Sequence, residues 1–277
     1  MKTVLLAKDE VLAAYDEVRG LYPHIPPLAV WRSWELAGYR RFDLPGPVLD
    51  VGCGDGRYFR LAWPHALDVV GVDIDPETAA RARETAVYRE VHVAPAHQLP
   101  FGARAFASAF ANCALEHMDE LPTVLRSVRE SLRPGGHFLC SVVTEKFVDW
   151  APLPLLLRRL GDGPRADELR RQHAAYHHLV NPLPAGGWID RLREAGFDVE
   201  QHVPIVPGIA GRLIVLFDQL WHVPDPGGGE LGSEMHRYFH SLPNFPEGLR
   251  DIVSGLLTME KEPETGCGAI FLARRPA

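Results

Sequence analysis

Three glycines at alternate positions follow a short apolar run that ends in an acidic residue, Asp50. The run at 48–51 is typical of a buried strand, and the glycines at 52, 54 and 56 indicate a turn where the backbone approaches a ligand closely. A second apolar run ends in Asp73, close to the offset of about 20 residues at which α/β nucleotide sites place an acid on the ribose hydroxyls. The two strand ends, the turn and the acid together predict a crevice for a nucleoside.

The glycine spacing separates two kinds of nucleoside site. A dinucleotide fingerprint needs a third glycine where this chain has Arg57, so the pyrophosphate-binding pattern fails. The spacing D-x-G-x-G-x-G resembles instead that of the class I S-adenosylmethionine-dependent methyltransferases, in particular the methyltransferase type 11-like branch that acts on small molecules. Consecutive motifs carry the resemblance over residues 45–145, and the C-terminal strands carry it more faintly.

The resemblance implies a set of residues that bind S-adenosylmethionine. The turn would pass beneath the amino-acid and ribose portion, Asp73 would accept both ribose hydroxyls, and Ile74 would pack against the adenine. Pro95 stands where the family often has an acid, so adenine recognition would rest on backbone groups at 96 and 97. The implied cofactor-binding residues are Asp50, Gly52, Cys53, Gly54, Asp73, Ile74, Ala96, His97 and Asn112.

Three histidines are the candidates for catalysis. Methyl transfer is an in-line displacement, and it needs a base only where the nucleophile carries a proton that must be lost. His117 is the first candidate, because a Leu-Glu-His segment at this place faces the substrate side of the family's site. His177 and His178, in a later insertion, are the second; helix capping or packing of the His117 imidazole is the structural alternative.

No metal site is predicted. Some relatives use a Glu-His pair within a magnesium site together with an acid a few residues earlier, but this chain has Cys113 there. His173 and His177 have the i, i+4 spacing of helical metal ligands, and the sequence places no third ligand beside them.

The implied fold is α/β: a Rossmann-like, seven-stranded, mostly parallel sheet with an antiparallel edge strand, helices on both faces and helical cap insertions. We expect the chain to divide into an N-terminal helical extension over the active site, a cofactor-binding core, a first cap insertion, more core, a second cap insertion and a final strand. These segments are 1–44, 45–143, 144–185, 186–206, 207–266 and 267–277. Long insertions after the fifth and sixth strands fall at the ligand-binding edge of such sheets.

Composition narrows the class of partner. The net charge of −7 argues against a nucleic-acid binder, which needs a basic face. Four cysteines without a CxxC pair are typical of reduced thiols in a cytoplasmic protein, and the longest apolar stretch, 209–221, is too short to span a bilayer. We expect no membrane partner, and a homodimer is an open arrangement because cap helices often make dimer contacts in this family.

The leading hypothesis is therefore an enzyme that moves a methyl group from S-adenosylmethionine to O, N or C of a small organic molecule, a secondary-metabolite intermediate. The alternative is a protein of the same fold that binds the cofactor and catalyses a non-methylating step such as a cyclisation. A nicotinamide-dependent oxidoreductase is opposed by Arg57, and a macromolecular methyltransferase by the acidic charge balance.

Overall fold

The computed structural model describes residues 1–66 and 68–277. Within them, one mixed sheet forms the centre of the molecule. Its strands are β1 (Lys2–Thr3), β2 (Val48–Val51), β3 (Val69–Asp73), β4 (Glu90–Val93), β5 (Phe106–Asn112), β6 (Leu132–Val143), β7 (Asp198–Pro207) and β8 (Gly266–Arg274).

Helices cover both faces of this sheet. In the described residues they are α1 (Lys8–Val18), α2 (Pro26–Tyr39), α3 (Arg57–Ala62), α4 (Pro76–Glu84), α5 (Leu121–Ser131), α6 (Lys146–Asp149), α7 (Pro152–Arg159), α8 (Gly163–Tyr176), α9 (Ala185–Glu194), α10 (Gly208–Trp221), α11 (Leu231–His240) and α12 (Phe245–Met259). None of the described helices is long and apolar enough to cross a membrane.

The strand order is β1-β7-β8-β6-β5-β2-β3-β4, with every pair parallel except those that β8 makes. Strand β2 pairs with β3 on one side and with β5 on the other, so the chain changes direction across the sheet at β2. Open α/β sheets bind ligands at the carboxyl ends of the strands at such a switch point. The glycine turn after β2 lies at this point.

The α/β fold is confirmed, with two differences in the sheet. An eighth strand, β1, adds two residues parallel to β7; a two-residue strand has too little pattern to be recognised from sequence. The antiparallel strand β8 is present, but it lies inside the sheet, between β6 and β7, and not at the edge. Because it pairs on both sides, its residues from Gly266 to Ala273 are all buried.

Alternation along the strands builds a core on each face of the sheet. Val48, Val69 and Phe110 pack on one face with the N-terminal helices and α10, whereas Leu49 and Val70 pack on the other with α5 and α9. This alternation is the period-2 pattern of strands buried on both faces. The first core holds the helices that will form the walls of the candidate site.

Proline residues start several of the helices that surround the site. Pro26 and Pro27 open α2, where the missing N–H costs nothing because the first turn of a helix has no partner for it. Helix α2 buries most of its length, including Trp31 and Trp34, against β7 and α10. The segments 144–185 and 207–266 supply α6 to α8 and α10 to α12, and we propose that these two segments and 1–44 act as caps on the cofactor-binding core.

Candidate active site

A cavity of about 450 Å³ opens at the carboxyl ends of β2 and β3, beside the glycine turn. We call it the glycine-turn cavity. Its lining residues are Gly52, Val72, Asp73, Ile74, Ala94, Pro95, Ala96, His97, Cys113, Ala114, His117, Met118, Asp119, Glu120 and Val124. Five of the nine residues expected at the cofactor therefore line one cavity, and the other four (Asp50, Cys53, Gly54 and Asn112) adjoin it along the chain.

The backbone geometry explains why two positions of the turn are glycine. Gly52 has φ +70°, and a Cβ there would stand 2.7 Å from the Ala114 Cβ, so only glycine lets the turn pass this wall of the cavity. Gly54, at φ +58°, would meet nothing within 4 Å, and its N–H donates to Asp73 Oδ2 at 2.9 Å. The other oxygen of Asp73 accepts from the Asp75 N–H at 3.0 Å, which orients the carboxylate at the cavity edge.

The lining fits the nucleoside part of S-adenosylmethionine. Ile74 leaves 71% of its surface exposed beside the cavity, although isoleucine is usually buried. It shares an apolar slot with Ala94, Pro95 and Ala96, which suits the face of an adenine, while the Asp73 carboxylate suits ribose hydroxyls. The volume lies in the range of about 300–1,000 Å³ of small-molecule sites.

Asp50 lies behind the turn as a buried carboxyl. It is 2% exposed and accepts a hydrogen bond from the Tyr88 hydroxyl at 2.6 Å. Burial raises its pKa to about 7, against the lowering effect of the Tyr88 bond, and the charge of Asp73 raises it further. Cys53 is likewise buried, and burial raises the pKa of its thiol well above the usual range. Both residues thus pack beneath the turn.

A second cavity, of about 250 Å³, lies between α2, α8 and α10 and is mainly lined by apolar and aromatic side chains. We call it the aromatic cavity. Its lining residues are Ile25, Pro27, Leu28, Trp31, Arg32, Cys113, Glu116, His117, Val143, Phe147, His177, Leu179, Ile214, Asp218 and His222.

The two cavities meet at Cys113 and His117, which line both. Cys113 follows β5 with φ +42°, and its N–H donates to the Ser141 carbonyl at 3.1 Å and to the Ser141 hydroxyl at 3.0 Å. A left-handed backbone at a non-glycine residue is strained and is typical of functional sites. His117 is exposed at this junction, and its Nδ1 lies 3.1 Å from the backbone carbonyl of His178.

That hydrogen bond determines which nitrogen of the neutral His117 ring carries the proton. A carbonyl can only accept, so Nδ1 carries the proton and the neutral ring keeps its lone pair on Nε2. Desolvation by the surrounding protein lowers the pKa of His117 below its usual value, against the opposing effect of the His178 carbonyl. A neutral imidazole at the junction can take a proton from a molecule in either cavity.

A buried polar network lies directly behind the junction. Glu35 is fully buried on α2 and accepts from Arg32 Nη1 at 2.6 Å, from the Ser141 hydroxyl at 2.7 Å and from the Cys113 thiol at 2.9 Å. Asn112 joins this network: its Oδ1 accepts from the Tyr39 hydroxyl at 2.7 Å. The network ties α2 to the carboxyl ends of β5 and β6.

Glu116 is a further acid in the wall of the aromatic cavity. It is fully buried; its Oε1 accepts from the Val143 N–H at 3.2 Å, and its Oε2 has no hydrogen-bond partner among the described residues. Burial raises its pKa to about 7. Burial therefore favours the neutral, protonated form of this carboxyl.

The other two catalytic candidates lie in different settings. His177 lines the aromatic cavity, and its Nε2 lies 2.8 Å from Asp218 Oδ2. The side chain of His178 is exposed, at φ +49°, and the residue contributes to the junction through the carbonyl that holds His117. The structure therefore brings His117 and His177 to one cavity and leaves the His178 ring outside it.

No sequence motif predicts several of the residues at the site. Asp218 and His222 on or after α10, and Glu35 on α2, reach the site only through helix packing over long sequence distances. One signal was available for Glu35: it forms an i, i+3 pair with Arg32 in an otherwise apolar helix, which is unusual unless the charges are partnered.

Comparison with known proteins agrees with this geometry. Residues 49–140 match the family described as a methyltransferase domain. The chain is 32% identical over 117 residues to malonyl-[acyl-carrier protein] O-methyltransferase of Xylella fastidiosa, covering 40% of this chain and 39% of that protein. It is 27% identical over 168 residues to the O-methyltransferase resE of Aspergillus sclerotiorum, covering 57% of each. The chain thus spans between about two fifths and three fifths of these relatives.

Among solved structures, the [4+2]-cyclase SpnF shares the fold with a TM-score of 0.55 at 20% identity, covering 90% of this chain and 82% of that one. Fold, glycine turn and family match agree that residues 49–140 form a class I S-adenosylmethionine-dependent methyltransferase domain, whose cofactor is S-adenosylmethionine.

Proposed function

We propose that this protein transfers the methyl group of S-adenosylmethionine to a hydroxyl oxygen of a small organic acceptor, a secondary-metabolite intermediate. The observation that carries the proposal is the junction: a cavity suited to the nucleoside and an aromatic cavity share Cys113 and His117. The relatives named O-methyltransferases support transfer to oxygen.

In this proposal the glycine-turn cavity holds the cofactor. Asp73 accepts the ribose hydroxyls, Ile74 and the backbone near Ala96 and His97 hold the adenine, and Gly52 lets the cofactor approach the turn. The bound cofactor supplies an electrophilic methyl group whose transfer leaves its bonding electron pair on sulfur.

The aromatic cavity positions the acceptor. Trp31 and Phe147, which meet edge to face at 5.8 Å between ring centroids, offer flat apolar walls to a small ring. His117 takes the hydroxyl proton onto Nε2 while an oxygen lone pair forms the bond to the methyl carbon. Holding both partners at the junction supplies most of the rate enhancement by orientation, and the base supplies a further factor of about 10²–10⁴.

The test is an assay of two products. The purified protein is incubated with S-adenosylmethionine and a panel of phenols, catechols and hydroxylated polycyclic compounds, and S-adenosylhomocysteine and methylated acceptor are measured together. We expect equal amounts of both for at least one acceptor. An acceptor that is converted without release of S-adenosylhomocysteine would instead establish the non-methylating alternative, such as a cyclisation.

A further inference from the structure

Two helices of the cap segments bring three side chains with metal-ligating atoms together. His173 and His177 lie four residues apart at the C-terminal end of α8, so their side chains share one helix face. Asp218 approaches that face from α10. One ligating atom from each of the three residues lies within 4.8 Å of the others.

The imidazole rings of His177 and His173 differ in their hydrogen-bond partners. His177 Nε2 is paired with Asp218 Oδ2 at 2.8 Å. His173 is only 9% exposed, and its Nε2 is buried with no hydrogen-bond partner in the part of the chain that the structure describes. Its ring is stacked on Phe147 at 5.0 Å between centroids, so it is held in place. Leaving such a nitrogen unpaired costs about 1–3 kcal/mol, a cost that a bound metal ion would remove.

We propose that His173, His177 and Asp218 form a binding site for a divalent transition metal ion, with Zn²⁺ as the reference ion. Two imidazoles and one carboxylate are a donor set of catalytic zinc sites, which keep a fourth position for water or substrate. Bond lengths of about 2.1 Å in a tetrahedral site put ligand atoms about 3.4 Å apart. The 2.8 Å between His177 Nε2 and Asp218 Oδ2 would lengthen on metal binding, and the distances to the His173 nitrogen, which are at most 4.8 Å, would shorten by up to about 1.4 Å.

Further polar side chains lie beside the Asp218 carboxylate. His222 Nε2 lies 3.6 Å from the other oxygen of Asp218, and its Nδ1 lies 2.9 Å from Glu230 Oε2. The Tyr176 hydroxyl also contacts His222 Nδ1, at 2.6 Å. Such outer contacts orient ligands and contribute to metal affinity by about 10–100-fold.

The position of the cluster gives a bound metal ion a role in binding the acceptor. His177 and Asp218 line the aromatic cavity, so the fourth metal position adjoins the space proposed for the acceptor. A metal ion there would bind the acceptor's oxygen and favour loss of its proton, which selects hydroxyl-bearing acceptors. This use rests on the proposed function, whereas the metal site itself does not.

The experiment measures metal content with zinc alone as the probe. Protein stripped with a chelator is equilibrated with Zn²⁺, dialysed and analysed by mass spectrometry of the elements. We expect about one zinc per chain and a rise in melting temperature that follows from binding to the folded state only. His173→Phe, which keeps a ring on Phe147, and the isosteric Asp218→Asn should each lower the zinc content at least tenfold.

A matched control uses the other i, i+4 histidine pair, His236 and His240 on α11, whose ring centroids are 5.6 Å apart. These two histidines belong to no three-ligand cluster among the described residues. The double variant His236→Gln/His240→Gln should keep its zinc. The proposal is overturned if wild type retains none, if both cluster variants retain it all, or if the control loses it.

Two further measurements separate this proposal from the proposed function. A thermal shift with S-adenosylhomocysteine shows that each variant is folded, because the glycine-turn cavity lies outside the cluster. Zinc bound without methyl transfer to any acceptor would overturn the proposed function and leave the metal site standing. Methyl transfer by a protein that binds no zinc would overturn the metal site and leave the proposed function standing.

Discussion

His117 combines three properties at one residue: its place at the junction of the two cavities, an Nδ1 held by a carbonyl, and a lowered pKa. The last two do not follow from the Leu-Glu-His segment, since the carbonyl comes from His178, 61 residues further along the chain. At residue scale, the position and the protonation of His117 therefore depend both on a local motif and on a loop that is distant in the sequence.

The first prediction concerns this ring. His117→Gln keeps a polar side chain but removes the base, so kcat should fall by about 10²-fold or more, with a much smaller effect on the affinity for S-adenosylhomocysteine. In wild type, kcat/KM should decline as pH falls through the lowered His117 pKa, since the protonated ring cannot accept a proton. The variant should lack this acidic limb. An unchanged kcat would assign the proton to another group, such as Glu116.

A second residue-scale prediction concerns Asp50. Its pKa is raised from 3.8 to about 7, so its contribution to stability is fully present near pH 4 and is lost as pH rises towards 7. The loss amounts to up to about 4 kcal/mol for a shift of this size. Asp50→Asn has no proton to lose, and its amide oxygen still accepts from Tyr88. The free energy of unfolding in urea, measured from about pH 5 to about pH 8, should decline less with pH in the variant than in wild type.

The outcome for Asp50 also shows how much of the site the sequence can predict. Gly52, Asp73 and Ile74 line the cavity as their motif indicates, because turn and strand end are adjacent in the chain. Asp50 belongs to the same motif, yet its side chain pairs with Tyr88, 38 residues away. Contacts that depend on which helix or loop packs beside a strand are not encoded in local spacing, and Asp218 is a further example.

At the scale of elements, the strands of the cofactor half follow their patterns closely. The apolar run at 48–51 predicts β2 with its observed bounds, and the run that ends in Asp73 predicts the end of β3, because strands buried on both faces are continuous and are ended by polar or glycine residues. The place of β8 inside the sheet could not be read in this way, since neighbours in a sheet are not neighbours in sequence. Helix α2 is the element whose role the sequence reveals least.

Helix α2 is tied to the sheet by charge as well as by apolar packing. Glu35→Gln would leave Arg32 beside a neutral partner in a buried setting, and breaking a buried pair in this way costs about 3–5 kcal/mol. The exposed pair Arg40–Glu17 links the same helix to α1, and Glu17→Gln should cost less than about 1 kcal/mol. Chemical denaturation of both variants tests the contrast. Equal effects would mean that the Glu35 network does not anchor the helix.

At the scale of the whole molecule, the cavities form a series. Beyond the aromatic cavity lies an apolar cavity of about 200 Å³ between α2, α10, α11 and α12, lined by Val30, Phe217, Trp221 and Phe245 among others. Pro27 and Ile214 line both of these cavities. The core sheet supplies the cofactor end of the series. The aromatic cavity combines Cys113, Glu116 and His117 of the family match with residues outside it, and the apolar cavity is lined by residues outside it. We therefore propose that acceptor selectivity depends mainly on the helices outside the family match.

This arrangement leads to a prediction about the shape of the acceptor. A hydroxylated ring in the aromatic cavity would extend an apolar chain past Ile214 into the apolar cavity, gaining about 0.8 kcal/mol for each CH₂ buried. A phenol with a four-carbon alkyl chain should therefore have a lower KM than its unsubstituted parent. Ile214→Phe narrows the passage and should raise KM for the alkylated phenol by at least tenfold, while the parent compound is little affected. Equal changes for both phenols would place the chain elsewhere, because only an acceptor that passes Ile214 can sense the larger side chain.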